Sequence, residues 1–345
     1  MHEARLYERR DDKKVKCHLC AHGCLIKPGG RGICQVRENQ DGTLYTLVWG
    51  KPIAANLDPI EKKPLYHFLP GSTSLSIATV GCNFQCGFCQ NWDISQQQRE
   101  SGGRVPGGGP GGTLVEPAAI LAQALSSGAA SISYTYTEPT IYFEYAYDCM
   151  QLAVDNGLKN VFVTNGYESP ECVEACQGLL HAANVDLKAM NDDFYRSECK
   201  AHLAPVLATL KNMRRAGVWL EVTTLLIPGK NDDPGEVTEL AAFLAGELGP
   251  EVPWHISAYT PRYKYLNGGP GRTPVSAIEK ALDIGRQAGL KFVYGGNVMG
   301  HASEGTACPS CGEPVIRRVG YTTDNRLKSG GACPHCGHRL AGVWA

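Results

Sequence analysis

The chain has 345 residues, with 33 lysines and arginines against 34 aspartates and glutamates, which gives a formal net charge of −1. This length accommodates one large α/β domain with small additions. The balanced charge argues against nucleic acid as the main partner. Residues 1–16 are too charged for a signal peptide, and no run approaches the roughly 18 apolar residues of a membrane span. We therefore expect a cytoplasmic protein with no membrane partner.

The 15 cysteines include 11 that fall into three clusters, at residues 17–34, 82–89 and 308–336. In a reducing compartment, clustered cysteines indicate metal sites rather than disulfides. The clusters and the pattern between them predict three regions. These are an N-terminal Cys-rich metal-binding region at residues 1–70, a barrel at 71–300 and a C-terminal zinc ribbon at 301–345.

The N-terminal region carries four cysteines in the spacing C-x2-C-x3-C-x9-C. They are Cys17, Cys20, Cys24 and Cys34. Four thiols separated by proline and glycine turns suit a tetrahedral metal site. The spacing differs from the ferredoxin pattern, so zinc is favoured and a second iron–sulfur cluster is the alternative. Residues 44–49 are expected to form a short strand, and the Pro-rich residues 50–73 to form a linker.

Apolar runs and helical patterns alternate from residue 74 to residue 300, which predicts a parallel sheet with right-handed crossovers. The expected strands are 75–80, 131–136, 160–164, 183–187, 218–226, 253–258 and 290–294. The expected helices are 116–127, 140–156, 170–181, 202–216, 234–247 and 274–288. About six βα units are fewer than the eight of a closed barrel. The predicted fold class is therefore α/β, an open (β/α)6 partial TIM-like barrel.

Three cysteines follow the first strand at once, in the spacing C-x3-C-x2-C: Cys82, Cys86 and Cys89. Three thiolates on one short loop can converge on a metal centre and leave one coordination position open, where metal chemistry can take place. A disulfide or part of a zinc knuckle is the alternative, but the spacing and the position after a strand favour a redox or catalytic metal loop. Residues 101–112 are glycine-rich and are predicted to be a flexible loop, because they lack the context of a phosphate-binding loop.

Polar residues stand directly after the other predicted strands. In a parallel barrel, chemistry collects at the C-terminal ends of the strands, so these residues are candidates for the active site. They include Glu138, Thr164, Asn165, Asp186, Lys188 and His255. One such position would mean little, since strand ends are often solvated. Polar residues at six successive strand ends indicate that this edge of the sheet is functional.

The C-terminal region contains two C-P-x-C-G knuckles separated by 21 residues that are expected to carry a hairpin. Their cysteines are Cys308, Cys311, Cys333 and Cys336. Paired knuckles of this kind are typical of a structural zinc ribbon.

The loop Cys82-Asn-Phe-Gln-Cys86-Gly-Phe-Cys89 resembles the motif of the radical SAM enzymes. In that family three cysteines hold a [4Fe-4S] cluster, and S-adenosylmethionine (SAM) chelates the fourth iron through its amino and carboxylate groups. The resemblance therefore implies a cluster and SAM as cofactors and the same partial barrel. It also implies that SAM breaks into methionine and a 5′-deoxyadenosyl radical, which abstracts a hydrogen from the substrate.

Within this family, the strand-end residues resemble those of the pyruvate formate-lyase activating enzymes. That resemblance implies that Glu138 receives the SAM amino group and that Asp186 and Lys188 lie near the SAM carboxylate. Thr164 and Asn165 match the Thr-Asn-Gly of that branch, and His255 matches a histidine that approaches SAM. Val163, however, stands where the activating enzyme has an acidic residue.

Two further motifs, Cys-Gln-Asn-Trp-Asp-Ile-Ser at 89–95 and Tyr-Thr-Tyr-Thr-Glu-Pro-Thr at 134–140, together with both cysteine modules, resemble the AmmeMemoRadiSam-system radical SAM proteins over nearly the full chain. The resemblance to the activating enzymes implies an oxidoreductase of the activating type, with an electron donor such as flavodoxin or ferredoxin and a protein glycine as substrate. The alternatives are a small molecule, a nucleic acid or another protein residue as substrate. A further alternative is a zinc-ribbon interaction protein whose basic residues, Arg318 among them, contact phosphate.

Overall fold

The structure, a computed structural model, describes residues 1–101, 105–107, 113–298 and 300–344. Most of the predicted glycine-rich loop at 101–112 lies outside the described residues. No helix in the described residues is long and apolar enough to cross a membrane.

The N-terminal region forms two small antiparallel sheets. Its strands are β1 (His2–Glu3), β2 (Tyr7–Arg9), β3 (Val15–Cys17), β4 (Leu25–Ile26), β5 (Arg37–Gln40) and β6 (Thr43–Thr46). One sheet has the order β1-β6-β5 and the other the order β2-β3-β4. The strand predicted at 44–49 is thus present as β6.

An eight-stranded sheet forms the centre of the described molecule. Its strands are β7 (Ala54–Pro59), β8 (Thr73–Ala78), β9 (Ser131–Tyr134), β10 (Lys159–Thr164), β11 (Ala182–Asp186), β12 (Trp219–Leu226), β13 (Trp254–Ala258) and β14 (Val293–Gly296). They lie side by side in the order of the sequence, and every pair from β8 to β14 is parallel. The predicted α/β partial barrel is confirmed.

The first strand of this sheet corrects the predicted linker at 50–73. Strand β7 pairs antiparallel with β8, with Ala54 opposite Ala78 and Pro59 opposite Thr73. Three consecutive residues of β7 are exposed, so the strand lacks the alternation of buried and exposed positions that would have identified it. An edge strand tolerates such polar residues and a terminal proline, because one of its sides has no strand partner.

Helices follow the strands and cover the sheet. They are α1 (Trp92–Ser95), α2 (Gln97–Glu100), α3 (Pro117–Ser126), α4 (Phe143–Asp155), α5 (Pro170–Ala175), α6 (Asp192–Phe194), α7 (Leu203–Arg215), α8 (Pro234–Phe243) and α9 (Val275–Gln287). Proline occupies the first position of three of them, where a missing N–H costs no hydrogen bond. The helix predicted at 170–181 is shorter, because it ends at Ala175 and Gly178 then takes a positive φ of 76°.

One apolar core joins the N-terminal sheets to the barrel. Val15 and Val36 of the first region belong to the same buried cluster as Leu75 and Phe84 of the second. The domain boundary at residue 70 stays a prediction, and the described residues bury apolar surface continuously across it.

The C-terminal region is a small antiparallel sheet that packs on the barrel. Its strands are β15 (Thr306–Ala307), β16 (Pro314–Val319) and β17 (Thr322–Asn325), in the order β15-β16-β17. The hairpin predicted between the two knuckles is present as β16 and β17. Arg318 is 6% exposed, donates to the Tyr66 carbonyl at 2.7 Å and lies 4.0 Å from the centre of the Tyr66 ring. This arginine joins the C-terminal region to Tyr66 and, unlike the exposed Arg317, Arg326 and Lys328, is not free to contact phosphate.

Candidate active site

The three-cysteine loop at residues 82–89, hereafter the cluster loop, begins at a glycine that no other residue could replace without strain. Gly81 has a φ of 104°, which L side chains rarely adopt. A Cβ atom at Gly81 would also lie 2.9 Å from Val36 Cγ1 and 3.2 Å from the Cys34 carbonyl oxygen. The chain can therefore turn from β8 into the cluster loop while touching the N-terminal region.

Backbone hydrogen bonds fix the cluster loop to two other parts of the barrel. The Gln85 N–H donates to the Cys199 carbonyl at 2.9 Å, and the Lys264 N–H donates to the Gly87 carbonyl at 3.1 Å. Phe84 and Phe88 are only 1% and 4% exposed, so they exclude water from the space around the thiols.

Burial and nearby charges keep the three thiols protonated in the absence of metal. Burial and the Glu138 carboxylate raise the pKa of Cys82, and burial raises the pKa of Cys89 to about 11. A hydrogen bond with the Cys199 thiol and burial raise the pKa of Cys86. A metal centre would replace the three protons, which is how thiolates bind metals.

On one side of the cluster loop lies the carboxylate of Glu138, which is 2% exposed. Its oxygens accept hydrogen bonds from the Asn165 N–H at 2.8 Å, the Thr164 hydroxyl at 2.8 Å and the Thr140 N–H at 3.1 Å. The Asn165 side chain reaches from here to Asn83 Oδ1 at 2.7 Å and to Cys82 Sγ at 3.8 Å. The structure thus brings three of the predicted residues together beside Cys82.

On another side lies the ion pair of Lys188 and Asp186, whose Nζ and Oδ2 atoms are 2.8 Å apart. The Lys188 side chain is 12% exposed and that of Asp186 is 40% exposed. Burial disfavours the charge on Lys188, but Asp186, Cys86 and Cys199 outweigh that effect and raise the pKa of the ammonium group. The Lys188 cation lies near Cys86 and the Glu138 carboxylate lies near Cys82, so opposite charges stand beside one cluster loop, which suits a zwitterionic ligand.

A family model described as the radical SAM superfamily matches residues 76–241, which contain the cluster loop and both of these charged groups. The chain belongs to the radical SAM superfamily. It is a radical SAM enzyme, and this membership implies a [4Fe-4S] cluster and SAM as its cofactors.

The chain is also similar to two proteins of Methanocaldococcus jannaschii. It is 42% identical over 342 residues to uncharacterized protein MJ0808, with 99% of each chain covered. It is 24% identical over 289 residues to uncharacterized protein MJ0674, with 81% of this chain and 76% of that protein covered.

Among solved structures, the chain resembles a radical SAM methyltransferase from Sphaerobacter thermophilus. The identity is 18%, the TM-score is 0.51, and the match covers 72% of this chain and 71% of that protein. This likeness shows the radical SAM fold alone.

Two buried polar atoms near Cys82 support the fit of these residues to the cofactors. Asn165 Oδ1 and Asn83 Nδ2 are buried and have no hydrogen-bond partner within the protein. Buried polar atoms are normally paired, so both are available to a bound group. With three thiols, a carboxylate and an ammonium group nearby, the donor set fits an iron–sulfur cluster with a bound amino acid.

His255 lies apart from this set. It is 3% exposed, its Nε2 is 2.7 Å from Glu221 Oε2, and its ring packs edge-on against Tyr66 at 4.7 Å. The backbone register places it level with Thr223 and Tyr294 inside the sheet. The approach of His255 to SAM stays a prediction.

Three residues at the site were missed by the sequence interpretation. Glu168 Oε1 is 2.7 Å from the Thr164 hydroxyl, and burial together with Glu138 raises the pKa of Glu168 to about 8. Cys199, which lies outside the three cysteine clusters, contacts Cys86. Arg99 donates to the Cys82 carbonyl at 3.0 Å. Of the three, only Glu168 could have been recognised from the sequence, because it stands four residues after Thr164, just beyond the end of a strand.

The four C-terminal cysteines form a compact group whose sulfur atoms all lie within 4.8 Å of one another. Cys308 Sγ is 3.7 Å from Cys336 Sγ, and Cys311 Sγ is 3.8 Å from Cys333 Sγ. In the part of the chain that the structure describes, no other three potential ligand atoms are gathered in this way. This group can hold a single metal ion.

The four N-terminal cysteines also lie near one another. The Cys17 N–H donates a 2.9 Å hydrogen bond to the Cys24 carbonyl, and a Cβ atom at Gly32 would lie 3.7 Å from Cys34 Sγ and 3.8 Å from Cys24 Sγ. Burial raises the pKa of Cys20 and Cys34, that of Cys34 to about 11, and the neighbouring thiols add to the rise.

Proposed function

We propose that this radical SAM enzyme is an oxidoreductase of the activating type, which abstracts a hydrogen atom from a glycine residue of a protein. When bound, the reduced cluster and SAM supply a 5′-deoxyadenosyl radical for that abstraction. The observation that carries the proposal is the placement of an anionic site at Glu138 and a cationic site at Lys188 beside one three-thiol loop. The order of these motifs along the chain resembles that of the activating enzymes.

Each residue has a defined task in this proposal. Cys82, Cys86 and Cys89 hold the cluster. Glu138 accepts the amino group of SAM, and the hydrogen bonds from Thr164 and Asn165 fix the direction of its oxygens. Lys188 attracts the carboxylate of SAM, and Asp186 keeps the Lys188 ammonium charged and in place. The buried phenylalanines of the cluster loop exclude water, which protects a reactive radical from side reactions.

Several further features belong to the same proposal. The compact C-terminal group suits tetrahedral zinc, because four thiolates around one ion close its coordination sphere. Flavodoxin or ferredoxin would supply the electron, since SAM cleavage consumes one electron that the chain itself does not generate. Membership of the AmmeMemoRadiSam group rests on motif resemblance. A small molecule, a nucleic acid or another protein residue is the alternative substrate.

The cleavage reaction is tested under anaerobic conditions. The protein is reconstituted with iron and sulfide, reduced with dithionite and mixed with SAM, and 5′-deoxyadenosine is measured. We expect product from the wild type and none from Cys86→Ala. Cys149→Ala is the control, because Cys149 is a buried cysteine of α4 outside the three clusters. Cleavage by Cys86→Ala at the wild-type rate would overturn the proposal.

The substrate is tested by isotope transfer. Proteins encoded beside the gene are produced with deuterated glycine and incubated with the active enzyme and SAM. We expect deuterium in 5′-deoxyadenosine and a glycyl radical in the electron paramagnetic resonance (EPR) spectrum of the substrate. Deuterium transfer from a labelled small molecule or nucleotide, with none from glycine, would instead support the alternative.

A further inference from the structure

The N-terminal thiol set, defined as Cys17, Cys20, Cys24 and Cys34, contacts the cluster loop or residues next to the active site in three places. A Cβ atom at Gly81 would lie 3.2 Å from the carbonyl oxygen of Cys34. His22, between two cysteines of the set, places its Nε2 2.9 Å from the Asn83 carbonyl oxygen. Cys20 forms an isolated β-bridge with Glu168, the carboxyl residue behind Thr164. The set therefore borders the active site directly.

A fourth connection runs through the side chain of Arg99. Its guanidinium group donates to the carbonyl oxygens of Ile33, Phe84 and Cys82, the last at 3.0 Å. Ile33 immediately precedes Cys34, so one cation joins the residue next to a cysteine of the set to the first cysteine of the cluster loop. Burial lowers the pKa of Arg99, and Cys82 and Cys34 act against that effect. A positive charge placed between two thiolate centres stabilises added electrons on both.

The position of the N-terminal thiol set distinguishes it from the C-terminal group. The C-terminal sulfurs lie within 4.8 Å of one another and are ready to surround one ion. The N-terminal thiol set instead borders the cluster loop, through the contacts of Cys34 and His22. Zinc has no redox chemistry, whereas an iron–sulfur cluster placed beside a redox centre can exchange electrons with it.

We propose that the N-terminal thiol set binds a second iron–sulfur cluster, which exchanges single electrons with the cluster at the cluster loop. Each transfer moves one electron from the reduced second cluster to the oxidised first cluster, and an external one-electron donor restores the second. The electron transfer rests on the proposed SAM cleavage, whereas the metal content of the set does not. The sequence alone favoured zinc here, and the position of the thiols beside the cluster loop now favours iron.

The metal content is tested with the full chain carrying Cys82→Ala, Cys86→Ala and Cys89→Ala. This variant cannot hold the first cluster, so its remaining iron reports on the N-terminal thiol set. After anaerobic reconstitution we expect about half of the wild-type iron and sulfide, and an EPR signal on reduction. Zinc in place of that iron, or no iron in a variant whose circular dichroism matches the wild type, would overturn the proposal.

Two matched variants complete the test of the site. Cys24→Ser with Cys34→Ser removes two thiols of the set, and we expect it to lose about half of the iron while keeping an EPR signal that responds to SAM. Cys311→Ser with Cys336→Ser removes two exposed thiols of the C-terminal group and should leave the iron content unchanged. Equal iron in the wild type and the N-terminal variant would contradict a second cluster.

Electron exchange is tested by counting turnovers without a continuing donor. Wild type and the Cys24→Ser, Cys34→Ser variant are reduced, freed of dithionite and mixed with SAM. We expect about twice as much 5′-deoxyadenosine per chain from the wild type, since each cleavage consumes one electron. Equal yields would overturn electron exchange, while no product from either protein would contradict the proposed SAM cleavage and leave the iron result standing.

The role of Arg99 is tested by Arg99→Gln, which keeps hydrogen-bond donors and removes the charge. We expect the reduction potentials of both clusters to become more negative. Arg196→Gln is the control, because Arg196 is exposed on the surface. A shift in one potential only would overturn the placement of Arg99 between two clusters.

Discussion

The backbone N–H of Asn165 donates a 2.8 Å hydrogen bond to Glu138 Oε2, although the two residues follow different strands. This bond aligns the ends of β9 and β10 and fixes the carboxylate next to Cys82. Burial raises the pKa of Glu138, and the backbone and hydroxyl donors that point at the carboxylate act against that rise. An ammonium group of a ligand would supply the opposite charge that favours the carboxylate form.

The first prediction concerns Glu138→Gln. The glutamine side chain carries no negative charge, and its NH2 group would face another hydrogen-bond donor, the Asn165 N–H. We therefore expect SAM to bind about ten- to a hundredfold more weakly. The measurement is equilibrium binding of SAM to the reconstituted enzyme. Glu171→Gln, on the exposed surface of α5, should bind SAM as the wild type does. Unchanged affinity in Glu138→Gln would remove this residue from the proposed site.

The second prediction concerns Lys188→Met. Losing the cation beside Cys86 should make the reduction potential of the catalytic cluster more negative, because added negative charge is then less stabilised. Redox titration followed by EPR measures the potential. Lys211→Met, in the exposed part of α7, is the control and should leave the potential unchanged. A potential equal to that of the wild type would mean that Lys188 is too far from the cluster to act on it.

The third prediction compares two glycines with positive φ. Gly81→Ala and Gly128→Ala both place a side chain in an unfavourable backbone region, but only the Cβ at Gly81 meets other atoms, with Val36 Cγ1 at 2.9 Å. We expect about 1 kcal/mol of destabilisation for Gly128→Ala and a larger loss for Gly81→Ala. Urea unfolding measures the stability, and Gly81→Ala should also hold less iron. Equal stability of the two variants would contradict the close contact.

The fourth prediction concerns acid stability. Burial lowers the pKa of His67 to about 4, and its ring nitrogens contact the Ala341 carbonyl and the Tyr294 hydroxyl at 2.8 and 2.7 Å. In the unfolded chain the pKa is about 6.5, so below that pH the unfolded state binds more protons. Stability should therefore fall by about 3 kcal/mol as the pH drops from about 6.5 to about 4, with no contribution above 6.5.

This pH dependence is checked by urea unfolding across that range. His67→Gln cannot take up a proton and should show a shallower loss of stability on acidification. His202→Gln, at an exposed position, should keep the wild-type slope. The assignment to His67 fails when His67→Gln has the same slope as the wild type.

The sequence predicted the parts of this molecule that depend on local pattern. Strands from β8 to β14 and most helices lie where the apolar periodicity placed them, and the hairpin between the last two knuckles is present. Strand β7 was missed, because its burial does not follow its polarity: Leu57 is exposed and Asp58 is buried, and its pairing with β8 is set by the barrel edge. Helix α5 is shorter than its pattern, because the turn at Gly178 ends it.

The sequence predicted those residues of the site that stand directly after strands. Glu138, Thr164 and Asn165 meet because parallel strands end at one edge. Arg99, Cys199 and the contact between Gly81 and Cys34 depend on loops that meet across the fold, and spacing along a chain carries no information about such meetings. The surroundings of His255 could not be predicted for the same reason, because the ring that packs against it belongs to Tyr66, far away in the sequence.

The attachment of the C-terminal region to residues 66–69 has a consequence for synthesis on the ribosome. The Leu69 N–H donates to the Val343 carbonyl at 2.8 Å, and His67 contacts a carbonyl 274 residues further along. When the ribosome adds about 5 to 20 residues per second, roughly 14 to 55 seconds pass between the synthesis of residues 66–69 and the synthesis of the C-terminal residues that they contact. During that interval the surfaces of Tyr66 and His67 that the C-terminal region covers in the finished protein stay exposed, which lengthens the time in which the nascent chain can aggregate.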